Sequence, residues 1–490
     1  MFKIPATLLC DFYKVLHREQ YPEKTEIIYS TWTPRSNKFF PRIDEIIAFG
    51  FQGFIKKYLI DYFNKNFFAR KKKDIIEEYT RVLKYTLNIQ TPDTTHIEEL
   101  HNIGYLPIKI MAVKEGTSVP IRVPMLTIQN TNDKFFWLTN YLETLTSTEL
   151  WLPSTSATIA NEYRKILIEF AKKSSSNLEA VQFQAHDFSM RGMTCLEASM
   201  LSGAAHLLSF VGTDIIPAIL YHENYYNANI EKELVGTSIP ATEHSVMCAG
   251  GDTNEFETYK RLINDVYPNG FLSIVSDTWN LWECIDKIIK PLKADILKRD
   301  GRIVIRPDSG DPEKIICGDS KGKTHAEKVG VVHLLWEIFG GIKNDKGYKE
   351  LDSHIGVIYG DAITIDRCES ICKSLLKNGF ASTNVVFGVG SFTYQYNTRD
   401  TFGFALKSTM SKIDGKEKML FKDPITDDGI KKSNTGTIVL REKNGKLVCK
   451  DGLSFNHSKS NLMQLIFKNG KLYNETSLKE IRDRVTNNNN

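Results

Sequence analysis

The sequence predicts an α/β protein: an irregular βα barrel with a second, β-rich domain built from the N- and C-terminal segments. Three observations carry that expectation. From about residue 180 to 400, short apolar strands end in polar residues and lead into helices; buried strands alternating with helices mean parallel βα units and a covered sheet. The polar residues fall at the same end of one strand after another: Asp187, Asp214, Asp277, Asp308, Asp361 and Gly390. A βα barrel builds its site on that edge. An open doubly wound sheet would use the same edge, and the repetition favours the barrel. After residue 400 the pattern turns antiparallel, with Asn-Gly in the KNGK segments at 443–446 and 468–471, the strongest short-range hairpin signal.

Taken in order, residues 1–150 mix strands and helices. Apolar positions recur at helical spacing over 43–87, 105–130 alternates with Gly and Pro punctuation as strands do, and a helical stretch follows near 135–172. Residues 151–399 are the expected barrel. AVQFQAHDF leads into a helix over 193–208, LSFVGTD into IIPAILYHE, and FLSIVSD into TWNLWECIDKII. GRIVIRPDSGD precedes a Gly- and Lys-rich insert and a helix over 326–339; HIGVIYGD leads into 364–378, and NVVFGVGSF closes the series. Residues 400–490 are expected to pair with the N-terminal strands.

Composition excludes several classes. At 490 residues the chain is long enough for several large cores, and 41 % hydrophobic with 25 % charged residues excludes a mostly disordered chain. No apolar run approaches the roughly 20 residues that span a bilayer, and MFKIPATLLCDFYK lacks the apolar core of a signal peptide. Eight scattered cysteines form no CxxC pair; with no sign of an oxidising compartment, a cytoplasmic location is expected. Cys368 and Cys372, four apart on an expected helix, read as packing thiols. A net charge of +4 is too weak to argue for nucleic acid, and Arg70–Lys73 reads as one solvated helix face.

Five clusters hold candidate chemistry. RPDSGDP, Arg306–Pro312, puts a cation, a carboxylate and free backbone N–H groups in one turn, although Pro, Asp, Ser and Gly are also ordinary turn residues. In YGDA, Tyr359–Ala362, Asp361 either caps the next helix or binds adjacent hydroxyls. FGVGSF, Phe387–Phe392, has the form of a phosphate cradle, or of plain close packing. PATEHS, Pro240–Ser245, sets His244 beside Glu243, as an acid/base group or nucleophile would be. HDFSMRG, His186–Gly192, brings Phe188 and Arg191 to another strand end, where core packing and an ion pair are the plainer readings. Each signal is weak alone. Together they describe a pocket suited to a phosphorylated sugar and Mg²⁺: cations for phosphate, carboxylates for hydroxyls.

With GTD (Gly212–Asp214), SIVSD (Ser273–Asp277), TRD (Thr398–Asp400), FKDP (Phe421–Pro424) and the opening DFYKVLHREQYP (Asp11–Pro22), these motifs stand in an ordered series. In order and spacing the chain resembles the nicotinamide phosphoribosyltransferase family from about residue 8 to residue 480. The resemblance implies a homodimer with sites at the subunit interface. It also implies transfer of phosphoribosyl from 5-phosphoribosyl 1-pyrophosphate to nicotinamide, with Mg²⁺, and ATP hydrolysis coupled through a phosphohistidine.

It further implies roles for particular residues. Phe188 and the partner subunit's Tyr13 would sandwich the pyridine ring, a geometry worth about 0.5–1.5 kcal/mol per pair beyond burial. Asp214 would accept from the carboxamide and repel nicotinate, with Arg306 meeting the ring or the amide oxygen from the other side. Asp308 and Asp361 match ribose ligands, Gly390 and Ser391 the 5′-phosphate loop, and Arg191, Ser273 and Gly360 complete the substrate contacts. Arg35, Arg399, Lys407 and Lys422 match phosphate and pyrophosphate ligands contributed by the partner. His244 matches the phosphorylated histidine, Asp277 the carboxylate that orients it, and Glu243 precedes it as in the family. Ser391 replaces a glycine and Ala405 a serine of better-known members, and Lys431 or Lys432 supplies a last basic position. The competing readings are a nicotinate phosphoribosyltransferase, against which Asp214 argues, and a catalytically silent nucleotide-binding homologue.

Overall fold

The computed structural model describes residues 4–422, 433–457 and 459–487; Lys431, Lys432 and the end of the FKDP motif lie outside them. The chain divides into two compact units. One comprises Met1–Thr158, His222–Ala228 and Asn397–Asn490, the other Ile159–Tyr221 and Asn229–Tyr396.

The second unit holds six parallel strands. Across the sheet they run Gly212–Thr213, Ala185–Asp187, Val385–Val389, Ile355–Tyr359, Ile303–Arg306 and Leu272–Val275. The last four of these are mainly Val, Ile and Leu with little polar interruption, as burial on both faces demands, and Ile355–Tyr359 is buried throughout. The two edges do not stay open. Thr237 bridges Gly212 on one side, and Ala241 bridges Ser273 on the other. Backbone hydrogen bonds Thr213 N to Thr237 O (3.0 Å) and Thr242 N to Ser273 O (3.0 Å) fasten this segment at both ends. Round the ring each strand neighbours the next in sequence, and the last returns to the first. The expected irregular βα barrel is what forms.

The first unit is built on a seven-stranded antiparallel sheet, in the order Lys416–Met419, Ala405–Ile413, Thr25–Thr33, Leu126–Asn130, Ile108–Ala112, Gln464–Lys468 and Lys471–Leu472. Tail strands flank the N-terminal strands on both sides, as expected. Both Asn-Gly pairs turn with positive φ at each residue, Asn444 at 53° and Gly445 at 75°, Asn469 at 50° and Gly470 at 78°, the geometry of a type I′ hairpin. Asp414-Gly415 makes a third such turn, at 50° and 73°. Trp32 lies flat on Phe404, with ring centroids 5.3 Å apart, at the centre of this unit's core.

Some local expectations are corrected. The segment 43–87 is not helical throughout: Glu45–Ile47 is a strand paired with Ser118–Pro120, and helix begins only at Phe51. Gly50 makes the change of direction. Its φ is +103°, and a Cβ there would meet Pro153 Cγ at 2.7 Å. The basic run does not form a helix face: the helix starts at Lys72, and Arg70 lies before it, paired with Glu78 at 2.7 Å. The helix His325–Phe339 breaks at Gly330, where φ is 79°. Cys368 and Cys372 are buried on Ile365–Lys377, as packing thiols should be.

Glu115 ties three stretches of the first unit together. Its carboxylate accepts from Gly50 N (2.8 Å), Gln52 N (2.7 Å) and the Tyr226 hydroxyl (2.9 Å), while its carbonyl accepts from Arg484 Nε (2.6 Å). Burial pushes this carboxyl up to about 7 against the hydrogen bonds that hold it down. A carboxyl whose folded pKa is raised contributes most below its unfolded value near 4.5 and loses that contribution as pH rises through about 7. Urea unfolding of wild type and Glu115→Gln at about pH 5 and about pH 8 is expected to show wild type losing about 3 kcal/mol relative to the variant over that interval, besides a pH-independent cost of the substitution. Parallel pH profiles would contradict this.

Candidate active site

Six strand ends and the bridging segment deliver the candidate side chains to one rim of the barrel. Phe188 follows Ala185–Asp187, its N–H donating to Val389 O at 2.8 Å. Asp214 follows Gly212–Thr213, Asp277 follows Leu272–Val275, and Arg306 ends its own strand with Asp308 two residues on. Gly360 and Asp361 follow Ile355–Tyr359, and Gly390 and Ser391 follow Val385–Val389. Glu243 and His244 follow the bridging segment, and His244 opens the helix His244–Gly250.

Behind this rim the barrel holds a cavity of about 460 Å³, lined there by His186, Phe188, Asp214, Ser238, Ser273 and Arg306. That volume lies within the ordinary range of small-molecule sites. Both His186 Nε2 (2.8 Å) and the Ser238 hydroxyl (2.6 Å) donate to the same oxygen of Asp214, Oδ1. Burial pushes the Asp214 carboxyl up, but the hydrogen bond and electrostatic pull of His186, the Ser238 hydroxyl and Arg306 outweigh it and hold the group below the usual carboxylate range. The result is a fixed anion. The His186 ring leans on Phe188 with centroids 4.6 Å apart. Gly388 lets Phe188 lie where it does, since a Cβ there would meet Phe188 Cδ2 at 2.7 Å. Among the described residues the buried Ser273 hydroxyl has no hydrogen-bond partner.

A second group gathers around Asp277. Its Oδ2 accepts from Asp308 N (2.9 Å) and the Ser309 hydroxyl (2.5 Å). Its Oδ1 is buried without a hydrogen bond among the described residues and faces His244 Nε2 at 3.4 Å. The His244 side chain is 48 % exposed while Asp277 is 5 % exposed, so the imidazole is open on the side away from its carboxylate. Glu243 accepts from the Ser245 hydroxyl, and the Arg306 guanidinium donates to Thr242 O. Burial lowers the Arg306 pKa. Burial raises the Asp308 carboxyl; Arg306 opposes the rise, and the negative charges of Asp277 and Asp361 add to it. At Gly360 a Cβ would run into Asp308 Oδ1, so the bare backbone is what lets these two strand ends touch.

Thr364 caps the helix Ile365–Lys377, accepting from Arg367 N at 3.3 Å, and Asp311 caps Pro312–Cys317. The capping role weighed for Asp361 is therefore taken by another residue. Gly192 packs on the Ser391 side chain, and Arg191 beside it is exposed.

Tyr13, Arg35, Arg399, Lys407 and Lys422 belong to the first unit. There Lys407 sits 3.8 Å from Glu143, which also pairs with the buried Lys14. Burial lowers the Lys407 pKa; Glu143 opposes this, and Arg35, Lys14 and Lys422 are near enough to add to it. Arg35 Nε donates to Gly403 O at 2.9 Å. Arg399 pairs with Asp400 at 3.3 Å. Tyr13 is 58 % exposed, its ring edge on His17 at 5.0 Å.

Sequence reasoning missed His186, Ser238, Thr242 and Ser309, which shape the site by holding Asp214, Arg306 and Asp277. His186, Thr242 and Ser309 stood inside motifs already singled out, with no role read for them; Ser238 lies in an irregular segment that carries no periodicity.

The profile of the nicotinate phosphoribosyltransferase (NAPRTase) family matches residues 183–471, and that of the nicotinamide phosphoribosyltransferase N-terminal domain matches residues 6–110. The chain is 47 % identical to the nicotinamide phosphoribosyltransferase of Acinetobacter baylyi over 99 % of its own length and 97 % of the relative's. It is 34 % identical to the protein of that name from Mycoplasma genitalium, over 89 % and 95 % of the two chains. Among solved structures it shares its fold with a nicotinate-nucleotide pyrophosphorylase from Pyrococcus furiosus, at a TM-score of 0.56 and 15 % identity over 99 % and 95 % of the two chains. It also shares its fold with human nicotinic acid phosphoribosyltransferase, at 0.51 and 14 % over 98 % and 93 %. Near-complete coverage at these identities, on a barrel whose rim carries the expected residues, places the chain: it belongs to the nicotinamide phosphoribosyltransferase family and is a phosphoribosyltransferase enzyme.

Proposed function

We propose that this enzyme transfers phosphoribosyl from 5-phosphoribosyl 1-pyrophosphate to nicotinamide, giving nicotinamide mononucleotide and pyrophosphate, and that ATP stimulates it through phosphorylation of His244. The observation that carries the choice of substrate is Asp214. An ionised carboxylate, held by two donors on one oxygen, keeps its other oxygen for an amide N–H and opposes an acid.

The ring stacks on Phe188, with the partner subunit's Tyr13 on its other face. Its nitrogen attacks C1 of the ribose as the C1–O bond to pyrophosphate breaks, so positive charge grows on the sugar and negative charge on the leaving group. Asp308 and Asp361 take the ribose hydroxyls, and Gly390 and Ser391, with Arg191, the 5′-phosphate. The partner subunit's Arg35, Arg399, Lys407 and Lys422 receive the charge on pyrophosphate. The large exposed side chains Leu196, Phe392 and Tyr396 on the barrel unit favour a homodimer.

The family implies Mg²⁺, and the residues fit it. Asp277 Oδ1 is an orphaned buried acceptor, and the Asp308 carboxyl is raised by burial and by its acidic neighbours. Among the described residues no group of three or more His, Cys, Asp or Glu is placed to hold a metal, so Asp308 and Asp361 would hold it together with substrate oxygens. When bound, the ion neutralises charge on the leaving pyrophosphate.

His244 serves the ATP step by position. It is exposed to a phosphoryl donor, and Asp277 joins it to the backbone of Asp308. Phosphate on His244 adds charge where pyrophosphate and the cation meet. Among the described residues no helix is long and apolar enough to cross a membrane, and we place the enzyme in the cytoplasm.

Product formation from phosphoribosyl pyrophosphate and Mg²⁺ tests the reading, with nicotinamide or nicotinate, each with and without ATP. Mononucleotide from nicotinamide, increased by ATP, is the expected result. Product from nicotinate alone would keep the fold and overturn the role of Asp214. No product from either would leave a silent homologue.

A further inference from the structure

Ser391 opens a single helical turn, Ser391–Tyr394, and the last two residues of that turn leave it in different directions. Thr393 keeps the turn closed through its own N–H, which donates to Gly390 O at 3.1 Å. Its hydroxyl donates to Ile363 O at 3.2 Å and lies 2.9 Å from the Tyr163 hydroxyl. Ile363 stands two residues after Asp361, so this contact fixes the turn to the loop that carries a ribose ligand.

Tyr394 points the other way. Its side chain is fully buried, and its hydroxyl lies 2.7 Å from His206 Nδ1; His206, also fully buried, has Nε2 at 3.1 Å from Gly212 O. A carbonyl oxygen only accepts, so Nε2 carries a hydrogen; in the neutral imidazole Nδ1 is then the acceptor, and Tyr394 donates to it. Phe210 lies against the imidazole with centroids 5.2 Å apart at 25°, holding the ring in that plane.

Gly212 is the receiving end, and its position matters. Asp214 follows it by two residues, and a Cβ on Gly212 would meet His186 Nδ1 at 2.9 Å. The backbone that accepts from His206 is thus in contact with the ring that donates to Asp214. Two buried side chains therefore join the turn of Ser391 to the strand end of Asp214. A satisfied buried network of this kind rigidifies what it joins.

We propose that Tyr394 and His206 are positioning residues that couple the two ends of the site: ordering the Ser391 turn with phosphate sets the strand end that reads the amide, and strengthens nicotinamide binding. The inference rests on the assignment of Ser391 and Asp214 given under Proposed function. Coupling between sites is reciprocal, so nicotinamide must strengthen binding at the phosphate end by the same factor.

Titration calorimetry of nicotinamide with and without saturating ribose 5-phosphate, which fills the sugar and phosphate positions but cannot react, measures that factor. In wild type, ribose 5-phosphate is expected to tighten nicotinamide about tenfold, in the range usual for coupled sites. Tyr394→Phe, which deletes only the hydroxyl, is expected to bring the factor below about two. His206→Gln can still donate to Gly212 O and accept from Tyr394, and is expected to retain most of the coupling; His206→Leu is expected to lose it. Circular dichroism confirms that each variant is folded, and for any that is not, the remaining two decide.

A factor of one in wild type, or a full factor in Tyr394→Phe, overturns the inference while leaving the proposed reaction intact. Equal weakening of both ligands with the ratio unchanged also overturns it, since that is what a merely structural role would give. If wild type binds neither ligand, the proposed function fails and the inference with it.

Discussion

Asp214→Asn is expected to lower the preference for nicotinamide over nicotinate, measured as the ratio of kcat/KM values, by about two orders of magnitude, or about 2.7 kcal/mol. The substitution keeps size and shape, and His186 and Ser238 can still donate to the remaining carbonyl oxygen. What disappears is the negative charge. In wild type that charge is stabilised by the hydrogen bond and pull of His186, by Ser238 and by Arg306 against the effect of burial, so it is present across the neutral range and opposes a nicotinate carboxylate. With Asn, a carboxylate meets an amide donor instead of an anion. The amide substrate meanwhile loses a charge-assisted hydrogen bond, which is stronger than a neutral one. Both changes move the ratio the same way. An unchanged ratio would remove Asp214 from substrate choice, and attention would turn to Arg306 and Ser273, which also line that end of the cavity.

On the homodimer proposed above, mixing Tyr13→Ala subunits with His244→Ala subunits is expected to add ATP-stimulated activity of about a quarter of wild type above the residual activity of either variant alone, because half of randomly assorted dimers are hybrids and each hybrid has one intact site of two. The hybrid site takes His244 from one chain and Tyr13 from the other. Tyr13 is free for such a role: it is largely exposed, and the Lys14 ammonium stands 5.0 Å from its ring. Lys14 is itself fixed by Glu143. Verified heterodimers without that added activity would show that the site is not shared between subunits.

Most of the architecture was legible because burial writes a plain pattern. Strands such as Ile303–Arg306 and Val385–Val389 are covered on both faces, so they stand out as apolar runs, and each ends where solvent and ligand begin. The Asn-Gly hairpins were legible because few residues accept two successive positive φ angles. Glu45–Ile47 was misread because short apolar runs fit helical and extended spacing equally well, and its partner Ser118–Pro120 is about 70 residues away. At the site, residues that terminate strands could be located, whereas residues that hold them could not. Ser238 and Ser309 are single hydroxyls in irregular backbone, and their importance comes from an oxygen of Asp214 or Asp277 that only the fold brings near.

The bridging segment is the barrel's clasp. Every other pair of neighbours shares at least two paired residues, but Thr237 and Ala241 each meet the adjoining strand through a single bridge. The circumference can therefore be let out at one place without unzipping a ladder elsewhere. Ser238 rides on the clasp between its two fastenings, and Thr242, which receives Arg306, stands just past the second. His244 is two residues further on. Ser238, Thr242 and His244 thus share one short piece of chain, and what moves that piece bears on the holders of Asp214 and Arg306 together.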